Sequence, residues 1–116
     1  MPGLPADTGR AAEDQALAYL QQRGLRLVAR NVRNKLGELD LVMREHATLV
    51  IVEVRARRSA AFGDAAASVD ARKQGKLLRA TARYLQETRL DLPVRFDVVA
   101  ITGRDLNWVR DAFRAE

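Results

Sequence analysis

The chain of 116 residues contains no cysteine, which excludes disulfides and thiolate metal sites and fits a reducing, cytoplasmic setting. Its one histidine, His46, falls in what reads as a turn, so neither a zinc site built on histidines nor a Ser-His catalytic arrangement is on offer. No apolar run is long enough to span a membrane as a helix. Residues 1–10, rich in Pro and Gly, lack the apolar core of a signal peptide. No repeat, low-complexity block or domain boundary interrupts the chain, and its length suits one domain with a modest core. The expected layout is a flexible tail over residues 1–6 and a single domain over residues 7–116. What the chain does have is charge: 20 Lys and Arg against 15 Asp and Glu, a net charge of +5 and a pI near 10.4. A basic domain of this size suits a polyanion, nucleic acid first, although a soluble protein that is merely basic would read the same way.

The most informative stretch is GELDLVMREHATLVIVEVR, residues 37–55. Apolar runs at Leu39–Met43 and Leu49–Val54 flank a polar connection, which predicts a β-hairpin turning at Glu45–Thr48. Residues whose numbers sum to 93 then face each other. One face carries Leu39, Leu41 and Met43 with Val50, Val52 and Val54, all apolar. The other carries Glu38, Asp40, Val42 and Arg44 against Arg55, Glu53, Ile51 and Leu49, so Asp40 lies opposite Glu53. Two facing carboxylates on a half-buried sheet repel and lose hydration. A divalent cation between them removes both penalties, and hard cations such as Mg²⁺ or Mn²⁺ prefer carboxylate oxygen. The same spacing also allows Arg55 to pair with Glu53 while other arginines neutralise Asp40.

Around this hairpin the spacing predicts a helix from Asp7 or Thr8 to Gly24, with the stripe Ala12, Ala16, Leu17, Tyr19 and Leu20 turned inward. Glu13 falls within that sector, either as a third carboxylate or at the stripe's edge in water. A basic strand follows over residues 25–33, with Arg26, Arg30 and Arg33. After the hairpin comes a loop, Arg57, Arg58 and Ser59 leading to Phe62 and Gly63, suited to phosphates and base stacking or to plain solvation. Ser68 or Asp70 caps a second helix to about Thr88, with Ala71, Gln74, Leu77, Leu78, Thr81, Tyr84 and Leu85 facing the core. Arg72, Lys76, Arg79 and Arg83 line its outer side, while Lys73 and Gln74 sit where they would look over the sheet. Residues 94–101 form the next strand, Phe96, Val98 and Ala100 on one face and Asp97, Val99 and Ile101 on the other. Asp97 reads as an auxiliary acid or, more simply, as the partner of an arginine. Residues 106–113, with Trp108 and Val109, form an edge strand or short helix. The expected fold is α/β (α+β): a mixed sheet flanked by helices in the order α-β-β-β-α-β-β.

An acid in the second strand and E-x-K spacing in the third, within this element order, resemble the core of the PD-(D/E)xK nuclease superfamily. More closely, GELDLV (37–42), IVEVRARRSAAFG (51–63), SVDARKQ (68–74) and RFDVVAI (95–101) resemble the bacterial YraN-like family, over roughly residues 9–113. That resemblance implies a restriction-endonuclease-like fold related to archaeal Holliday-junction resolvases. It makes Asp40 and Glu53 metal ligands, with the carbonyl of Val54 and the helical acid Glu13 completing the set. The superfamily lysine falls at Arg55. Arginine holds phosphate but, always charged, cannot act as a base.

The activity this implies is a metal-dependent, structure-selective DNA endonuclease, resolvase-like, in recombination or repair. Arg55 and Lys73 would stabilise phosphoryl charge and Gln74 would orient water. Arg57, Arg58, Ser59, Arg72, Lys76 and Arg79 would hold the backbone of branched or single-stranded DNA without reading sequence. The alternative is an accessory nucleic-acid-binding module with little catalysis, which the arginine at position 55 favours. A junction enzyme needs two sites, hence a homodimer. A helicase or other recombination protein is the kind of protein partner such an enzyme would take, although no residue pattern shows one.

Overall fold

The computed structural model describes residues 5–57 and 68–114, with side chains from Gly9 onward. The elements are α1 (Pro5–Gln22), β1 (Arg26–Asn34), β2 (Gly37–Glu45), β3 (Thr48–Arg57), α2 (Ala71–Thr88), β4 (Val94–Thr102) and β5 (Asp105–Phe113). The expected order α-β-β-β-α-β-β holds, and the last element is a strand. The first helix starts at Pro5, two residues ahead of the expected Asp7, proline being tolerated in a first turn where its missing N–H has no partner to lose. Arg58, Ser59, Phe62 and Gly63 lie outside the described residues, as do residues 1–4 of the expected tail. Among the described residues, no helix is long and apolar enough to cross a membrane.

The sheet order is β1-β2-β3-β4-β5, antiparallel except for β3 beside β4. The parallel pair requires a crossover, and α2 supplies it. The two helices pack on opposite faces. On one, Ala12, Ala16 and Leu20 of α1 cover Leu41, Met43, Val50, Val52, Val99 and Ile101. On the other, Leu77, Ala80 and Tyr84 of α2 cover Leu39, Val42, Leu49, Ile51, Phe96, Val98 and Ala100. A sheet buried on both sides explains why β3 and β4 read as nearly continuous apolar runs.

The β2–β3 hairpin follows the expected register, from Glu45↔Thr48 through Val42↔Ile51 to Leu41↔Val52. The turn is two residues, with His46 at φ +54°. Leu39 corrects the sequence reading: it packs on the α2 face with Val42, not on the α1 face with Leu41. The break falls where β2 passes Asn31 of β1. Asn31 has φ +54°, and the β1–β2 ladder holds Arg30↔Leu41 and Val32↔Leu39 but skips the step between them. Strand alternation therefore breaks at Asp40, and the residues before and after it serve different cores.

The start of β2 lies tight against α2. A Cβ on Gly37 would stand 3.3 Å from both the Ala80 Cβ and the Lys76 carbonyl oxygen, so glycine there permits a close approach. Asn34 fastens the same corner, donating from Nδ2 to the Ala80 carbonyl at 3.2 Å and accepting from Leu36 N–H at 2.9 Å. At the head of α2, Asp70 is the N-cap, its side chain accepting from Lys73 N–H at 2.9 Å.

Candidate functional site

Asp40 sits where two ladders let go. The β2–β3 pairing ends at Leu41↔Val52, and Asp40 Oδ2 instead accepts the Val54 N–H at 2.9 Å. Its carboxyl lies close enough to that of Glu53 for the Glu53 charge to act on it. Burial, then the Glu53 charge, pushes the Asp40 carboxyl up to about 7, and the Val54 N–H pulls only partly the other way. Two acids in one water-poor notch cannot both ionise cheaply, so the notch calls for a proton or a cation.

Glu53 is the more deeply set partner, its side chain 6% exposed. Its Oε2 faces two cations, Arg55 at 3.4 Å and Lys73 at 3.5 Å. Arg55 follows from strand alternation, two residues along the same face. Lys73 arrives from the first turn of α2, which the Asp70 cap aims at the sheet. Glu53 Oε1 is buried and has no hydrogen-bond partner among the described residues. A buried carboxylate oxygen left so costs on the order of 1–3 kcal/mol. The expected pairing of Arg55 with Glu53 is present, the arginine taking one oxygen and leaving the other, and Asp40 lies near Glu53 beyond the end of the β2–β3 ladder.

Glu13, on the inward side of α1, is near enough that the Asp40 charge adds to burial in raising its pKa. It is held by Arg30, whose guanidinium lies 3.5 Å from Glu13 and 2.8 Å from Asp14, and the Asn31 side chain also donates to it. Among the described residues no group of three or more His, Cys, Asp or Glu forms a metal-ligand cluster. The central unit is the Asp40–Glu53 pair, with Glu13 beside it in an ion pair. Gln74 is committed elsewhere, donating from Nε2 to the Val69 carbonyl at 2.9 Å. Val54 joins the site through its N–H. Arg72, Lys76 and Arg79 are exposed on the outer side of α2, and Arg57 is half-buried at the end of β3.

Sequence reasoning missed the Arg30–Glu13 pair and the Asn31 kink. Neither has a local signal beyond asparagine's tolerance of positive φ. It also missed the extent of the network around Asp97. That fully buried acid accepts two bonds from Arg95 at 2.9 Å, one from Trp108 Nε1 and one from the Asp111 N–H, each at 2.9 Å. Asp97 is thus the satisfied partner of an arginine, the simpler of its two expected roles. Arg95 continues to Glu45 at 2.6 Å, which Arg110 also binds.

The model of a family described as "Uncharacterised protein family UPF0102" matches residues 12–101. UPF0102 proteins of similar length align along almost their whole extent. That of Ralstonia nicotianae is 57% identical over 99% of this chain and 92% of its own. That of Shewanella amazonensis is 53% identical over 90% and 97%, and that of Xanthomonas campestris 51% identical over 100% and 98%.

Proposed function

Since the chain belongs to the UPF0102 family, the YraN-like group that its motifs resemble, we propose that it is a metal-dependent, structure-selective DNA endonuclease of the PD-(D/E)xK type, acting in recombination or repair. The observation that carries this reading is the Asp40–Glu53 carboxyl pair with Lys73 and Arg55 on one side of it. The residues fit a divalent cation on two counts. The carboxyls lie together in a largely buried notch, and Glu53 Oε1 has no hydrogen-bond partner among the described residues. Hard oxygen donors of this kind suit Mg²⁺ or Mn²⁺. Asp40 and Glu53 would hold the ion, and Glu13 would join them on release from Arg30. When bound, such an ion supplies charge neutralisation, polarisation of a phosphoryl oxygen and a more acidic water.

The chain's own groups do the rest. Arg55 and Lys73 present cationic nitrogen at the mouth of the notch, where a scissile phosphate gains negative charge in the transition state. Lys73 is the one of the two able to give up a proton, so it covers a role that arginine cannot fill at position 55. Arg72, Lys76 and Arg79 on the same helix hold the backbone of branched or single-stranded DNA by charge, without reading bases. The arginine at position 55 also favours an accessory module that binds nucleic acid without cutting it.

Cleavage of branched, single-stranded and duplex DNA in Mn²⁺, Mg²⁺ or EDTA separates the two readings. The nuclease reading expects cutting that needs metal and falls at least 100-fold in Asp40→Asn and in Glu53→Gln. Salt-sensitive binding with no cutting in either metal leaves the accessory module. Cutting that survives both substitutions puts the chemistry elsewhere.

A further inference from the structure

The opposite end of the β2–β3 hairpin carries a second charged site of the other sign. Arg26 of β1 and Arg44 of β2 are ladder partners, so two cations stand directly opposite each other, an arrangement that costs free energy unless an anion lies between them. Both are exposed, and among the described residues neither has a carboxylate partner. Arg30, Arg33, Arg55, Arg83, Arg95, Arg110 and Arg114 all do. With Gly24 and His46, the pair lines an open cleft of about 480 Å³.

The cleft is pre-shaped. The His46 carbonyl accepts from Arg44 Nε at 3.0 Å, and the Arg44 side chain is otherwise exposed. Gly24 has φ +95° and nothing within 4 Å of where a Cβ would be, so the floor is open. The adjacent end of α1 does not repel an anion through bare carbonyls, because those of Leu20 and Gln21 already accept from Arg23, Gly24 and Leu25. Arg23 adds a further cation there, stacked 3.8 Å over the Tyr19 ring.

We propose that the Arg26–Arg44–His46 cleft binds a backbone phosphate of the same nucleic-acid strand that reaches the Asp40–Glu53 notch. Guanidinium pairs match phosphate geometry. Four residues of strand β2 separate Arg44 from Asp40, roughly 13 Å at ordinary strand rise, a distance that one bound nucleic acid can span. The proposal rests on the nucleic-acid reading of the notch, and its test separates the two.

Fluorescence anisotropy in EDTA, where nothing is cut, gives the affinity of a labelled single strand across a salt series. In Arg26→Ala/Arg44→Ala, binding should weaken tenfold or more, and the slope of log K against log salt should fall by about 1, the loss of one to two phosphate contacts. In Arg89→Asn/Arg104→Ala, which removes the same charge from the end of α2 and the β4–β5 turn, binding should change less than threefold. Equal losses in the two double variants overturn the proposal, since net charge then explains both. So does an unchanged affinity in Arg26→Ala/Arg44→Ala, with the reading of the notch left standing. If the wild type binds no nucleic acid, yet inorganic phosphate shifts the amide resonances of Gly24 and His46, the cleft takes free anions. That outcome overturns the proposal and the nucleic-acid reading together.

Discussion

Asp40 carries its charge at a loss. Its carboxyl is raised from 3.8 to about 7 by burial and by Glu53, so between those values the folded chain keeps a proton that the unfolded chain has released. Stability therefore falls as pH rises through that window, and the full cost, on the order of 2–4 kcal/mol, is present above pH 7 and absent below 3.8. Asp40→Asn removes the ionisation and keeps an acceptor for the Val54 N–H. In EDTA at pH 8 it should be more stable than the wild type by on the order of 2 kcal/mol, about 8 °C in Tm, and at pH 4 the gap should close. Thermal melts at the two values check this. A cation held by both acids should give the reverse pattern: Mn²⁺ raises the wild-type Tm at pH 8 and leaves Asp40→Asn unmoved. Equal melting of wild type and variant across the range would mean that Asp40 is not destabilised by its neighbour.

At the scale of elements, the notch is made by departures from regular pairing, and these set what was legible in the sequence. The nearness of Asp40 to Glu53 could be read because a two-residue turn fixes the hairpin's register as far as Leu41↔Val52, one step short of the two acids. Leu39 was misread because alternation breaks between Leu39 and Leu41, beside Asn31 with its positive φ, and no apolar pattern announces the break. Lys73 was legible as a residue beside the inward stripe of α2. Glu13 was legible as an acid on a buried face, yet its Arg30 partner depends on how β1 lies under α1. The Arg26–Arg44 cleft was invisible, since the two residues meet only through the ladder. One more element-level device bears on the notch: α2, which brings Lys73 to Glu53, lies so close to β2 that the Ala80 Cβ and the Lys76 carbonyl oxygen leave no room for a Cβ at Gly37. Gly37→Ala should force these apart by a few tenths of an ångström at both contacts. The expected cost is about 1–3 kcal/mol by urea melt, with a loss of metal-induced stabilisation larger than that from a substitution of equal cost in the β4–β5 hairpin. If the two substitutions lose metal stabilisation equally, the position of α2 does not matter to the pair.

Across the whole molecule, two charge systems of opposite pH behaviour sit at opposite ends of β2. Glu45, at its far end, is drawn below the usual carboxylate range by hydrogen bonds from Arg110 and then Arg95. Arg95 also grips the buried Asp97, so Glu45 is the outer anchor of a network that crosses from β2 to β4 and β5. A lowered carboxyl contributes stability that is complete above its unfolded pKa and is lost as pH falls through the folded value. Metal-free protein should therefore weaken on both sides of a maximum near pH 4: on the acid side as the Glu45 network takes up protons, and above it, up to about pH 7, as the unfolded chain releases an Asp40 proton that the folded chain keeps. Glu45→Gln should cost about 1 kcal/mol at pH 6, where the partly exposed pair is screened by solvent, and converge with the wild type near pH 3. Five residues of strand, roughly 16 Å, separate Glu45 from Asp40, and the two share no partner among the described residues. Their effects should then add to within about 0.5 kcal/mol in the double variant Asp40→Asn/Glu45→Gln: the alkaline limb flattens with the first substitution, the acid limb with the second, each indifferent to the other. A coupling above about 1 kcal/mol in denaturant melts would mean that β2 transmits strain between its ends, and that a strand held at the Arg26–Arg44 cleft would alter the carboxyl pair directly.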